Sequence, residues 1–131
     1  MQHIDATGQD FSRTTVTGIP IYLTLDVLTL VGTGVYGLPS PVAGTITAIQ
    51  SRLKAPLTTG NATLTAKIGT TAVTTGVLTI TQAESAIGDV DTCSPTAART
   101  VAVGDNLSVT VGGTNDAVVG ATVVFTILPT A

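Results

Sequence analysis

Apolar and polar residues alternate with a period of two along most of the chain. Successive side chains of a β-strand point to opposite faces, so this period is typical of strands with one buried face. The first such segment has apolar residues at Ile19, Ile21, Leu23, Leu25 and Val27, and the last has them at Val119, Ala121, Val123, Phe125 and Ile127. No segment has a convincing helical period, so we predict an all-β protein.

The segment 44–53 predicts a strand whose alternation changes phase near Ala48. A phase change within a strand indicates a β-bulge, where one extra residue is inserted. We therefore expect Ile46 and Ala48 to lie on one face, and Ile49 and Leu53 on the other.

Shorter alternating segments predict further strands at 62–68, 72–81, 101–103 and 107–111. Glycine, asparagine and aspartate in residues 112–116 predict a hairpin that joins the last two strands. Two stretches are predicted to be irregular. They are residues 32–44, rich in glycine and proline, and residues 82–98, which contain a single helical turn at 82–86.

About seven strands with turns at roughly ten-residue intervals are typical of an antiparallel β-sandwich or a jelly roll. We expect a single domain over residues 19–131. Residues 1–18 are polar and have no period, so they predict an extended N-terminal arm, either disordered or ordered by a partner.

Composition favours an oligomer. Of the 131 residues, 44% are hydrophobic and only 10% are charged, compared with about 25% charged in ordinary domains. A domain of this size cannot readily bury all of its apolar residues, and a subunit interface is the simplest way to cover the remainder.

The charge pattern argues against nucleic-acid and membrane partners. The net charge is −3 and the five cationic residues are scattered: Arg13, Arg52, Lys54, Lys67 and Arg99. Nucleic-acid binding requires a basic cluster, and a membrane-spanning helix requires about 20 consecutive apolar residues. The chain begins without a secretory signal pattern, and its single cysteine, Cys93, excludes an intrachain disulfide.

Catalytic and cofactor motifs are weak. Residues 32–37 match the pattern GxGxxG, but Pro39 and Pro41 stop the helix that a dinucleotide site needs. The only histidine, His3, lies in the predicted arm, which is a poor position for a catalytic triad. We therefore expect no enzyme, no catalytic residues and no cofactor.

Carboxylates raise the possibility of a metal site, but the sequence favours another interpretation. Asp89 and Asp91 could lie on one side of an extended loop, whereas calcium needs six or more oxygen ligands. Aspartates in such segments are more often turn formers. We therefore expect no metal site.

Two stretches resemble a known group of proteins. They are GTITAIQSRLKAPLTTGNATLTAKIGTTAVTTGVLTI, residues 44–80, and PTAARTVAVGDNLSVTVGGTNDAVVGATVVFTIL, residues 95–128. A G-x-I-x-x-I strand, an A-T-x-T-x-x-I-G strand, a V-x-x-G-D-x-L-x-V segment and a G-G-x-x-x-A hairpin follow one another. This layout resembles the small β-sandwich proteins on the heads of tailed bacteriophages, and above all the capsid decoration, or cement, proteins.

The resemblance implies a jelly-roll-like homotrimer that is made in the host cytoplasm. It would sit on the outer capsid surface of the virion and bind the major capsid protein across seams between capsomers, without catalytic residues. We predict that the arm and the first strand mediate assembly, with Phe11, Ile19, Ile21 and Tyr22 as interface residues. The alternative is a head-fibre protein or a receptor- or glycan-binding module of a phage particle.

Overall fold

The computed structural model describes residues 19–130 of the chain. These residues form nine strands and one 3-10 helix. The strands are β1 (Ile21–Val27), β2 (Val35–Pro39), β3 (Gly44–Leu53), β4 (Ala62–Ile68), β5 (Thr71–Ile80), β6 (Val90–Cys93), β7 (Thr100–Val101), β8 (Asn106–Gly113) and β9 (Ala121–Pro129). The 3-10 helix spans Gln82–Glu84, where the sequence predicts a helical turn.

The strands form two antiparallel sheets that pack face to face. The first sheet has the order β1-β9-β3-β6, and β7 also pairs with β3. The second sheet has the order β2-β8-β4-β5. The predicted all-β sandwich is confirmed.

The connections identify the sandwich as a jelly roll. β6 and β7 pair with different parts of β3, and together they act as one interrupted strand. With this pair counted once, each successive strand lies in the opposite sheet, except that β4 and β5 are neighbours. Eight strands connected in this way form the two Greek keys of a jelly roll.

The core between the sheets is almost entirely aliphatic, and its largest fully buried side chain is Phe125 on β9. Val123 and Ile127 are buried on the same strand face, as the alternation predicts. β9 lies between β1 and β3, so this face is covered on both flanks by neighbouring strands.

The β-bulge in β3 is confirmed, but the predicted faces are wrong. The register with β9 shifts between Ile46 and Ala48. Ile46, Ile49 and Leu53 are all buried, whereas Ala48 is half-buried. The inserted residue restores the inward phase, so both halves of the strand face the same core.

Two segments predicted as irregular contain edge strands. β2 lies within residues 32–44, where Tyr36 and Leu38 pack against the core. Gly37 fits there because a Cβ at this position would lie 2.9 Å from the carbonyl oxygen of Leu107. Pro39 is tolerated because β2 ends at it, at the edge of its sheet. β6 lies within residues 82–98 and is only four residues long, which is too short for the alternation to be recognised.

The predicted hairpin after β8 is also wrong, because β8 and β9 belong to different sheets. Residues 114–120 instead cross from one sheet to the other. Asn115 is buried at this crossing, and its amide donates to the carbonyl oxygens of Leu30 at 3.2 Å and Ala117 at 3.0 Å. Glycine and asparagine mark the turn but do not specify which strand follows it.

Candidate assembly surface

Three of the four predicted interface residues, Ile19, Ile21 and Tyr22, lie at or just before the start of β1. Ile19 is 62% exposed and Tyr22 is 66% exposed. Ile21 is half-buried and pairs with Ile127, so it faces the core while Tyr22 faces outward. The structure therefore places Ile21 and Tyr22 on opposite faces of the sheet. Phe11 and the rest of the predicted arm lie outside the described residues.

β1 forms one edge of the first sheet. Among the described residues it pairs only with β9, which leaves the outer backbone groups of a seven-residue strand without a strand partner. Its single charged residue, Asp26, forms an ion pair with Lys54 at 2.6 Å. Edge strands are usually protected by charge, proline or bulges, and an unprotected edge is a template for another chain.

The second sheet has its edge strand β2 on the same side of the sandwich, packed against β1. No backbone hydrogen bond joins these two strands in the described part of the chain. Val35, on the outer face of β2, is 63% exposed. We call this side of the sandwich, formed by β1 and β2, the open edge.

A second apolar surface lies at one end of the first sheet. The apolar end, as we name it, consists of Leu28, Ile87 and Val118, which are 70–84% exposed. Val27, which precedes Leu28, pairs with Ala121, and Val118 lies three residues before Ala121. Gly88, which follows Ile87, donates its N–H to the carbonyl oxygen of Leu53, and Leu53 also pairs with Ala121. All three exposed residues therefore lie at the end of the sheet marked by Ala121.

Sequence reasoning missed the apolar end because its three residues lie in loops of different segments. A weak local signal is present, since Leu28 precedes Thr29, Ile87 precedes Gly88 and Val118 lies two residues before Gly120. Only the topology brings the three loops to the same end.

The outer face of the first sheet carries a shallow depression of about 300 Å³, lined by Gln50, Ser51, Arg52, Val90, Thr122 and Val124. Arg52 is exposed, and its guanidinium lies close to Gly88, where a Cβ would be 3.3 Å from Nη2. The lining is mostly apolar and contains no aromatic side chain. The depression can therefore hold a small polar group beside Arg52 but has no stacking surface for a sugar.

Acidic residues gather at the other edge of the first sheet, at β6. Burial raises the pKa of Asp91, and the nearby carboxylates of Asp89 and Glu84 raise it further. Ser51 on β3 lies directly opposite Asp91 and is buried. Sequence reasoning identified Asp89 and Asp91 as a pair, but only the strand register brings Ser51 to them.

The structure also places the other side chains and motifs that the sequence offered for catalysis or cofactor binding. No three His, Cys, Asp or Glu side chains converge on a metal-binding position within residues 19–130. Burial raises the pKa of the Cys93 thiol, which disfavours the reactive thiolate form. The GxGxxG segment runs into β2 rather than into a helix, and His3 lies outside the described residues.

In the part of the chain that the structure describes, no helix has the length and apolar character needed to cross a membrane. Comparison with protein-family models, with curated proteins and with solved structures finds no match to this chain.

Proposed function

We propose that this chain is a bacteriophage capsid decoration protein. It binds as a homotrimer to the major capsid protein on the outer surface of the virion, across seams between capsomers, and stabilises the shell. The open edge is the observation that carries the proposal, because among the described residues one side of β1 has no strand partner and exposed apolar side chains lie beside it.

The sandwich has the features that a decoration protein requires. A decoration protein needs a rigid fold, a surface for its own copies and a second surface for the shell. The open edge supports the first contact, with Ile19 and Tyr22 exposed beside it. The apolar end supports the second. A trimer presents three copies of each weak shell contact, so its binding gains from effective concentration.

Light scattering and capsid binding test the proposal together. We expect a mass near three chains in solution, and saturable binding to capsids from which the decoration protein has been removed. Deleting residues 1–18 should weaken trimerisation or capsid binding. Full trimerisation and capsid binding by the deleted chain would contradict the role of the arm.

Mutations at the apolar end separate self-association from shell binding. Changing Leu28 and Val118 to serine should reduce capsid binding while the trimer persists, because both side chains are exposed and remote from the start of β1. A chain that is monomeric at high concentration and does not bind capsids would contradict the proposal as a whole.

A head-fibre or glycan-binding module is the second candidate, favoured by the depression at Arg52 and Gln50. Guanidinium and amide groups donate to the hydroxyl and carboxylate oxygens of acidic sugars. The absence of a lining aromatic weakens this candidate, since aromatic faces supply much of the contact in sugar sites. Binding on a glycan array that is lost in Arg52→Ala would favour this function over capsid decoration.

A further inference from the structure

Two buried oxygen atoms at the junction of β3 and β6 have no hydrogen-bond partner: Oγ of Ser51 and Oδ2 of Asp91. The two residues are directly opposed in the antiparallel register. Opposed side chains lie on the same face of a sheet, with Cβ atoms about 4.5–5.5 Å apart. Both orphaned oxygens therefore belong to one small space between the strands.

The orphaned atoms are unusual because buried polar groups are nearly always hydrogen-bonded. Ser51 is only 2% exposed, so bulk solvent does not satisfy its hydroxyl. A third orphaned oxygen, Oγ1 of Thr110, lies on β8 in the other sheet. The residues opposite it, Thr65 and Val35, carry no orphaned oxygen. A single group between Ser51 and Asp91 would satisfy both oxygens at once.

The local charge favours a cation over a water molecule. Asp89 and Glu84 lie close enough to Asp91 to interact electrostatically with its carboxylate. The one ion pair among the described residues, Lys54 with Asp26, involves none of these three acids. The guanidinium of Arg52 lies close to Gly88 but forms no ion pair with them. Three carboxylates beside one guanidinium leave a net negative charge near the buried oxygen pair, which a bound cation relieves.

We propose that Ser51 and Asp91 bind a calcium ion at the junction of β3 and β6, with Asp89 and Glu84 contributing through charge. Calcium accepts hydroxyl, carboxylate and water oxygens at about 2.3–2.6 Å in flexible geometry, so one ion can bridge two oxygens about 4–5 Å apart. Magnesium demands shorter and stricter octahedral geometry. No group of three His, Cys, Asp or Glu side chains converges on a metal position within residues 19–130, so we assign the remaining ligands to water.

A site with two side-chain ligands is weak. We expect a dissociation constant of about 10⁻⁴–10⁻³ M, the range of sites with few charged ligands. Binding should raise the melting temperature because the ion joins the short edge strand β6 to β3 in the folded state only. The inference does not depend on the proposed function.

Calcium alone is the probe, added to chelator-treated full-length protein at constant ionic strength. Equilibrium dialysis with radioactive calcium should show one site per chain, and the melting temperature should rise saturably with calcium but much less with magnesium. Asp91→Asn and Ser51→Ala should each weaken binding about tenfold or more. Ser51→Ala only removes an unpartnered hydroxyl, so its fold should persist if Asp91→Asn proves unstable.

Two matched variants control for general effects. Asp116→Asn removes an exposed carboxylate in the crossing loop, and Thr110→Val removes the orphaned hydroxyl of the other sheet. Both should bind calcium like the unmodified chain. The proposal is overturned if no calcium binds up to about 10 mM, well above the weakest dissociation constant expected. It is equally overturned if Ser51→Ala and Asp91→Asn bind as well as the controls.

Discussion

The two long edges of the sandwich are built differently. At the closed edge, formed by β5 and β6, the second sheet is bonded to the segment that joins β6 to β7, because the N–H of Thr74 donates to the carbonyl of Ala97 at 3.0 Å. The N–H of Thr96 returns a bond to the carbonyl of Thr74 at 3.1 Å. At the open edge, β1 and β2 pack together without a backbone hydrogen bond between them.

The closed edge is maintained at a cost in backbone strain. Thr75 has a φ of 56°, a left-handed conformation that is rare for a β-branched residue. Its Oγ1 lies 3.1 Å from the carbonyl oxygen of Ser94 and 3.0 Å from Oγ1 of Thr96. Within residues 19–130, strained backbone and side-chain hydrogen bonds hold the closed edge together, whereas no hydrogen bond joins β1 to β2 at the open edge. This difference is expected if the open edge is reserved for another chain.

The largest expected effect tests whether the two edges belong to one cooperative body. Phe125→Ala should lower the free energy of unfolding by about 3–5 kcal/mol, because it removes a fully buried aromatic ring. Hydrogen exchange should accelerate at both edges to the same extent. Thr126→Ala on the outer face should change stability by less than about 1 kcal/mol. Accelerated exchange at one edge alone would contradict a single core.

A charge placed at each edge separates their roles in assembly. Tyr22→Lys on β1 should raise the dissociation constant of the oligomer about tenfold or more, since a charge protects an edge strand. Val77→Lys on β5 introduces the same charge beside the closed edge, at a position that is 46% exposed, and should leave association unchanged. Sedimentation velocity measures both. Equal effects from the two variants would remove the distinction between the edges.

Two substitutions of Thr75 separate the strain at the closed edge from its hydrogen bonds. Thr75→Ala keeps the left-handed backbone but loses the Oγ1 contacts, and should cost about 1 kcal/mol. Thr75→Gly loses the same contacts but relieves the strain, so it should be less destabilising than alanine. In Thr75→Ala, the amides of Thr74 and Thr96 should exchange faster while those of β1 do not. A glycine variant that is less stable than the alanine variant would contradict the presence of backbone strain at Thr75.

The smallest expected effect is a pH dependence of stability that arises from Asp91 on β6, measured with a chelator present. Folding raises the pKa of Asp91 above its ordinary value of 3.8, mainly through burial. Its contribution is therefore favourable below pH 3.8 and is lost as the pH rises through the folded pKa. Asp91→Asn should raise the melting temperature at pH 7, where the carboxylate is charged, and the gain should vanish near pH 3. A rise in melting temperature that does not change with pH would contradict the raised pKa of Asp91.

Much of the fold could be predicted because seven of the strands carry a period of two or a short apolar run. β9 is the clearest case, with every second residue buried from Ala121 to Ile127. β2 and β6 were missed because edge strands are short and tolerate proline, glycine and charge. The sequence predicts a hairpin after β8, where the chain crosses to the other sheet, because turn residues indicate a change of direction but not the sheet that follows.

The candidate surfaces were less predictable than the fold. Ile19 and Tyr22 could be selected because they lie at the start of the first predicted strand, and both prove exposed. The apolar end and the Ser51–Asp91 pair depend on register between segments far apart in sequence, since residues 51 and 91 meet only through the pairing of β3 with β6. Such pairings are set by the packing of the whole sandwich, which a local pattern does not encode.

The pairing of β1 with β9 also determines how the domain responds to mechanical force. Ile21 near the start of the described chain is paired with Ile127 near its finish, so the two strands run antiparallel side by side. Pulling the two ends apart loads the hydrogen bonds of this pair one after another, as in a zipper, because the bonds lie perpendicular to the strands. The domain should therefore yield at low force when stretched from its ends and resist far more when loaded through its faces.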